Sequence, residues 1–232
     1  MNDDIVPGLL KLIKQEFEVG LVDSKIIQKA IDELSKGKAD FKTVNHYARE
    51  LGNILSVALQ KNITVDILPN GQLYFNIIDR VLNDTLKENF RLINDFSNDV
   101  ESLLNQKANI HLAVKRPKIS QDRIDGLVKK MLEYETFEEA QWLLGPSIVN
   151  FSQSVADDFI KTNVDFHAKT GLKPKIRRSV VGKCCDWCDQ KAGIYDYPVP
   201  NDVYLRHRNC DCLVEYFPGN GRVQNSHTKT WR

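Results

Sequence analysis

Residues 78–103, IDRVLNDTLKENFRLINDFSNDVESL, place apolar side chains at Ile78, Leu82, Leu86, Phe90, Ile93, Phe96, Val100 and Leu103. Steps of three and four sustained over this length follow the 3.6-residue turn of an α-helix and not the two-residue alternation of a strand. The stretch predicts one long amphipathic helix, and an apolar stripe of that length needs other helices to cover it. It reads as an element of a helical bundle, with projection beyond its own domain as the other outcome open to so long a helix.

Working outward, the flanks supply those partners. Towards the N-terminus, Pro69-Asn70-Gly71 is a turn signal. Before it, Asp40 stands as an N-cap for a helix bearing Val44, Tyr47, Ala48, Leu51, Ile54, Leu55 and Ala58. Gly8–Val19 and Ser24–Lys36 repeat the helical spacing, the second with Ile26, Ile27, Ala30, Ile31 and Leu34. Towards the C-terminus, Lys115-Arg116-Pro117 breaks the pattern. Helices are expected to resume over Ser120–Tyr134, with Ser120 as cap, and over Phe137–Leu143. Gly145-Pro146 punctuates, Ile148–Lys169 reads as one more helix, and Gly171 is placed as its C-cap with Pro174 beyond. The texture then changes to short β-type runs at Arg177–Val181, Ile194–Tyr197 and Leu213–Phe217. The fold class expected is mainly α: a helical region over 1–170, with a sub-boundary near 108–119, and a small α+β module over 171–232.

That module holds every thiol in the chain. The five cysteines fall in Cys184-Cys185-Asp-Trp-Cys188 and His207-Arg-Asn-Cys210-Asp-Cys212, and residues 1–183 contain none. Two short-spaced pairs brought together by a hairpin supply a tetrahedron of soft or borderline donors, the arrangement of a structural zinc site. The spacing assigns Cys185, Cys188, Cys210 and one of His207 and Cys212 as ligands, with Cys184 pointing elsewhere. Four protein ligands leave no open position for water, so the site reads as structural, and the metal staples a module too small to stand on its own core. The other readings of the thiols are disulfides and a redox Cys-x-x-Cys. The odd cysteine count and an acidic Met-Asn-Asp-Asp start without an apolar export segment speak against the first. The second leaves His207, Cys210 and Cys212 without a role.

Charge is distributed unevenly. Residues 1–170 carry 21 basic and 25 acidic side chains, while 171–232 carry 11 and 6, a net of +5 in a protein whose formal net charge is +1. Lys173, Lys175, Arg177, Arg178 and Lys183 cluster just before the metal motif. The first four are candidate nucleic-acid contacts, with a solvated face or a counter-charge to thiolates as the alternatives. No stretch approaches the roughly 20 apolar residues of a membrane span, and a soluble intracellular chain without membrane contact is expected. His207 with Asp202 and Asp211 invites comparison with metal-dependent nucleases, but no second histidine follows at a suitable distance. The deaminase His-x-Glu and Pro-Cys-x-x-Cys pattern, a phosphate-binding glycine loop and a Gly-x-Ser-x-Gly elbow are all missing. His46, His111 and His167 read as surface or core histidines. Trp187, Tyr195, Tyr197 and Tyr216 read as packing residues of the module. No catalytic residue and no small-molecule substrate is expected.

The run from Arg178 through Cys185, Cys188 and Gly193 to Tyr197, followed by Arg206-His-Arg-Asn-Cys-Asp-Cys212, resembles the C-terminal signature of minor head proteins from tailed phages and prophages of Gram-positive bacteria. These are similar to the phage Mu protein F head-morphogenesis family. In that signature a Cys-x-x-Cys, a Gly shortly after and a His-x-x-Cys-x-Cys return map onto Cys185, Cys188, Gly193, His207, Cys210 and Cys212. The preceding segment with Asn150, Asp157, Asp158 and Phe159, the Gly171-Leu-Lys-Pro174 stretch, and the closing Gly221–Asn225 and Lys229–Trp231 extend the likeness over about residues 145–232. Before that it is only generic. The extra Cys184, and Asp211 where an Arg often sits, depart from the pattern and bear on the ligand set. The resemblance implies a low-copy virion or procapsid protein acting in head assembly and DNA packaging near the portal. Its implied partners are the portal, scaffold or major capsid protein, with packaged DNA as a further contact. The implied location is the head interior, after assembly in the bacterial cytoplasm. In some relatives the module is fused to toxin or enzyme domains, and no such fusion is expected here. A metal-dependent nucleic-acid-processing enzyme or toxin using the basic C-terminal module is the alternative.

Overall fold

The computed structural model of the chain describes residues 4–182 and 185–219. Lys183, Cys184, Gly221–Asn225 and Lys229–Trp231 therefore lie outside the described residues. The architecture is mainly helical with a small C-terminal antiparallel sheet. Helices α1 (Val6–Asp23), α2 (Lys25–Ser35), α3 (Phe41–Asn62) and α4 (Phe75–Lys107) come first, followed by α5 (Gln121–Met131), the single turn α6 (Phe137–Ala140) and α7 (Pro146–Lys169). Strand β1 (Lys175–Ser179), the short α8 (Asp186–Gln190), β2 (Gly193–Asp196) and β3 (Leu213–Phe217) complete it.

The helix starts follow local chemistry. Ser24 accepts a hydrogen bond from Ile27 N–H at 3.3 Å. Asp40 accepts from Lys42 and Thr43 N–H at 2.9 and 3.1 Å, while Thr43 Oγ1 accepts from Asp40 N–H, a reciprocal capping box. Ser120 occupies the cap position of α5, although its side chain makes no capping bond. At the end of α7, Gly171 takes φ +92°, which lets Leu172 N–H return to His167 O at 3.1 Å.

The long helix α4 is buried along its length, from Ile77 to Asn105, so it is a bundle element and does not project. Its stripe packs on α1, α3, α5 and α7. Phe96 stacks on Tyr47 with ring centroids 4.1 Å apart. The central contact is α3 on α7, where a Cβ added at Gly52 would lie 2.8 Å from Ser152 Oγ and from Val149 Cα. Only glycine permits backbones to approach that closely. The expected sub-boundary at 108–119 is an extended segment held against the helices. Asn163 of α7 accepts from Lys115 N–H and donates to Lys115 O, both at 2.9 Å, much as a neighbouring strand would.

The strands run in the order β2-β1-β3, both pairings antiparallel, with Ile176 opposite Tyr195 on one side and Tyr216 on the other. Ile176, Val214 and Tyr216 face inward and belong to the same hydrophobic core as the helices. Phe41 of α3 meets Tyr216 at a centroid distance of 5.8 Å. The change of texture after residue 170 is thus a change of secondary structure within one continuous core. No described helix is long and apolar enough to cross a membrane.

Candidate metal centre

Two tight turns bring the thiols together. Cys185 has extended backbone at the start of α8, and one turn later Cys188 returns beside it, the turn closed by Asp189 N–H on Cys185 O at 3.1 Å. In the return segment, Asn209 takes φ +57°, a left-handed conformation that asparagine tolerates. This lets Cys210 N–H reach His207 O at 3.2 Å. Cys212 then enters β3 directly.

The donor atoms form two overlapping groups, Cys185–Cys188–His207 and Cys188–Cys210–Cys212, within each of which all ligand atoms lie within 4.8 Å of one another. Cys188 belongs to both. Its Sγ is 2.8 Å from His207 Nε2 and 3.8 Å from Cys210 Sγ, and Cys185 Sγ is 3.3 Å from His207 Nε2. A tetrahedron with metal–sulfur bonds of about 2.3 Å has sulfur–sulfur edges of about 3.8 Å. The Cys188–Cys210 separation and the donor chemistry therefore fit a metal ion. The described cysteines are free thiols, so no disulfide competes for them. All five predicted metal residues thus fall in these two groups of three, joined through Cys188. Cys188, Cys210 and Cys212 are buried, while Cys185 is exposed and His207 half-buried. A hydrogen bond from Cys212 is the first cause pulling the Cys210 thiol down to about 4, with the Arg206 charge assisting, and Cys212 is raised in turn. Burial raises Cys188.

Arg178 is 1% exposed and points at this cluster, its Nη2 3.6 Å from Cys210 Sγ and 4.0 Å from Cys188 Sγ. Nη1 donates to Val203 O and Leu205 O at 2.6 and 2.8 Å, and the guanidinium lies over the Trp187 ring at 5.1 Å. Trp187 in turn meets the His207 ring edge-on, and packs with Val180 against the buried cysteines.

Of the expected nucleic-acid contacts Lys173, Lys175, Arg177 and Arg178, burial removes Arg178. Adjacent residues of a strand face opposite sides, so Arg177 and Arg178 of β1 cannot share a surface. Arg178 faces the thiols. Arg177 makes a two-pronged ion pair with Glu215 at 2.9 and 3.0 Å, and Lys175 pairs with Asp196 at 3.0 Å. Lys173 is exposed. Of the alternatives, a counter-charge to thiolates describes Arg178.

A second buried network locks the return segment to the helices. Arg206 donates to Asp157 of α7 (Nη2 to Oδ1 2.8 Å), to Asn45 Oδ1 of α3 at 3.0 Å and to Cys212 O at 2.7 Å. Asn45 also donates to Val214 O at 2.8 Å, and Asn150 of α7 to His207 O at 3.0 Å. The Arg206 and Asp157 side chains are both buried. Sequence reasoning missed Arg178, Arg206, Asn45 and Asn150 in these roles. The two-residue alternation of β1 was the available signal for Arg178, whereas nothing local marks the other three. His167 is a core residue, while His46 and His111 are exposed. Tyr216 packs in the core and Tyr195 against it, whereas Tyr197 is largely exposed.

Compared with known proteins, the chain matches no family model, no curated protein and no solved structure.

Proposed function

We propose that the Cys/His cluster is a structural zinc centre in a non-enzymatic minor head protein of a tailed phage, acting in head assembly and DNA packaging near the portal. The observation that carries it is the convergence on Cys188 of the Cys-x-x-Cys and His-x-x-Cys-x-Cys halves, the same residues on which the resemblance to phage head proteins rests. Thiolates with one imidazole at tetrahedral spacing favour zinc over harder cations, which prefer oxygen ligands. Cys188, common to both donor groups, anchors the set, and Cys185, Cys210, His207 and Cys212 are the candidates that complete it. A full protein shell leaves no position for a metal-activated water. His207 is spoken for at both ring nitrogens, Nε2 towards the sulfurs and Nδ1 against Arg208 O at 2.7 Å, which suits a ligand better than a general base. The partners in this reading are the portal, scaffold or major capsid protein, with packaged DNA as a further contact. The protein would sit in the head interior after assembly in the bacterial cytoplasm.

Quantitative mass spectrometry of purified particles tests the assembly role. A few to tens of copies per particle, with defective particles from Cys188→Ser, is the expected result. Absence from particles, together with metal-dependent cleavage of DNA or RNA that His207→Ala abolishes, would replace it with the nucleic-acid-processing reading.

A further inference from the structure

The surface that stands out for binding is a groove of about 680 Å³ between α2 and α3, whose Arg49 end reaches Asp211 of the cysteine return. The two helices are antiparallel, since Ser24 Oγ bonds Glu50 at one end and Thr43 Oγ1 bonds Glu33 at the other, at 2.6 and 2.8 Å. Its walls carry Lys25, Lys29, Lys38, Lys42 and Arg49, with His46 among them. Three acids also line it, and each is committed to the fold: Glu33 and Glu50 accept those hydroxyl bonds, and Asp40 caps α3. The cations are far less committed. Lys25, Lys38 and His46 make no ion pair or side-chain hydrogen bond among the described residues. Lys29 reaches Glu33 only at 3.7 Å while highly exposed, and Lys42 reaches Glu215 only at 4.0 Å. Only Arg49, paired with Asp211 at 2.7 Å, is firmly held. Five cations thus line the groove against three carboxylates, a net of +2, and Lys25 and Lys38 stand without an ionic partner among the described residues.

The floor is apolar. Ile26 is 47% exposed, with Ala30 beneath it. A phosphate backbone gains nothing from such a floor, because nucleic-acid interfaces are more polar and more uniformly positive. An amphipathic helix with an acidic edge uses both features. Lys42, His46 and Arg49 follow one another along α3 at steps of roughly 4.5–6 Å, from the 1.5 Å rise per residue. Carboxylates at the same helical spacing on a docked helix would meet them in register, while its apolar stripe covers Ile26. We infer that the α2–α3 groove docks an acidic amphipathic helix of a partner protein. This inference does not depend on the metal centre or on the phage reading.

The test uses the full chain and a fluorescent helical peptide of about 20 residues with aligned Glu and Leu stripes. A peptide of the same composition, shuffled so that no stripe forms, and a DNA duplex serve as comparisons. Saturable binding of the striped peptide is expected, weaker for the shuffled one. Lys25→Glu with Lys29→Glu, and separately Ile26→Asp, should each weaken it about tenfold, with circular dichroism showing both variants folded. These residues are exposed, so the substitutions leave the core intact. No saturable binding overturns the inference, as does binding indifferent to both variants. Tighter binding of the duplex through the same lysines, falling steeply with salt, overturns it in favour of a nucleic-acid groove.

Discussion

The guanidinium of Arg178 is a buried positive charge whose visible compensation is the thiol cluster and two backbone carbonyls. Hydrogen bonds to charged groups contribute about 1.5–3 kcal/mol each. Arg178→Met should therefore weaken metal binding about tenfold or more, read by competition with a chromogenic chelator. Arg178→Lys should recover only part of the loss, because a point charge cannot serve the carbonyls and the sulfurs together. Unchanged affinity in Arg178→Met would remove this role. Asp157→Ala strands the Arg206 charge in the interior and should cost about 3–5 kcal/mol in urea unfolding. A loss below about 1 kcal/mol would mean that water reaches Arg206. At this scale the sequence was legible where chemistry is local. Cysteine spacing identified the cluster, and Asp40 with Thr43 identified a helix start. It was illegible for Asn45 and Asp157, which meet Arg206 across 161 and 49 residues of chain and look like ordinary polar positions in their helices.

Between elements, contact distance and burial set the constraints. Gly52 sits where α3 and α7 come closest, and Gly52→Ala should cost about 1–3 kcal/mol by forcing the helices apart, despite alanine's better helix propensity. A stabilised variant would contradict that packing. Glu101 of α4, His167 of α7 and Tyr216 of β3 form a buried polar group in which His167 Nδ1 bonds the Tyr216 hydroxyl and Nε2 lies 3.8 Å from Glu101. Burial raises Glu101 to about 7 and lowers His167 to about 4. The ordinary values are 4.5 and 6.5. The glutamic acid's contribution is complete below its unfolded value and is lost as pH rises through about 7. The histidine's is complete above its unfolded value and is lost as pH falls through about 4. Across the shared window the two slopes oppose each other, so their combined effect is nearly flat. Glu101→Gln should expose the histidine slope, with stability rising with pH, and His167→Gln the glutamate slope, with stability falling. Each change should be on the order of 2–3 kcal/mol. Parallel slopes in the two variants would refute the pairing. The apolar periodicity of α4 was readable, but the role of Glu101 on its buried side was not, because His167, which faces it, lies 66 residues further along the chain.

For the whole molecule, the sheet joins the helices through Ile176, Val214 and Tyr216 as well as through the Arg206 network, while the cysteine turns make a small cluster of their own. Chelation should therefore raise hydrogen exchange in 185–212 first and leave α1, α3, α4 and α7 protected. Uniform loss of protection would mean that the metal supports the entire core. The helix order and the switch to strands after residue 170 were legible as period and composition. The shared core was not, because β1 shows only two inward positions, Ile176 and Arg178, too few to announce what they face. Native mass spectrometry of the purified chain beside Cys188→Ser tests the central claim most directly, since Cys188 belongs to both donor groups. The account predicts one zinc ion per wild-type chain and none in the variant. A wild-type chain that is folded through its C-terminal sheet without metal, or a variant that keeps its zinc, would contradict it.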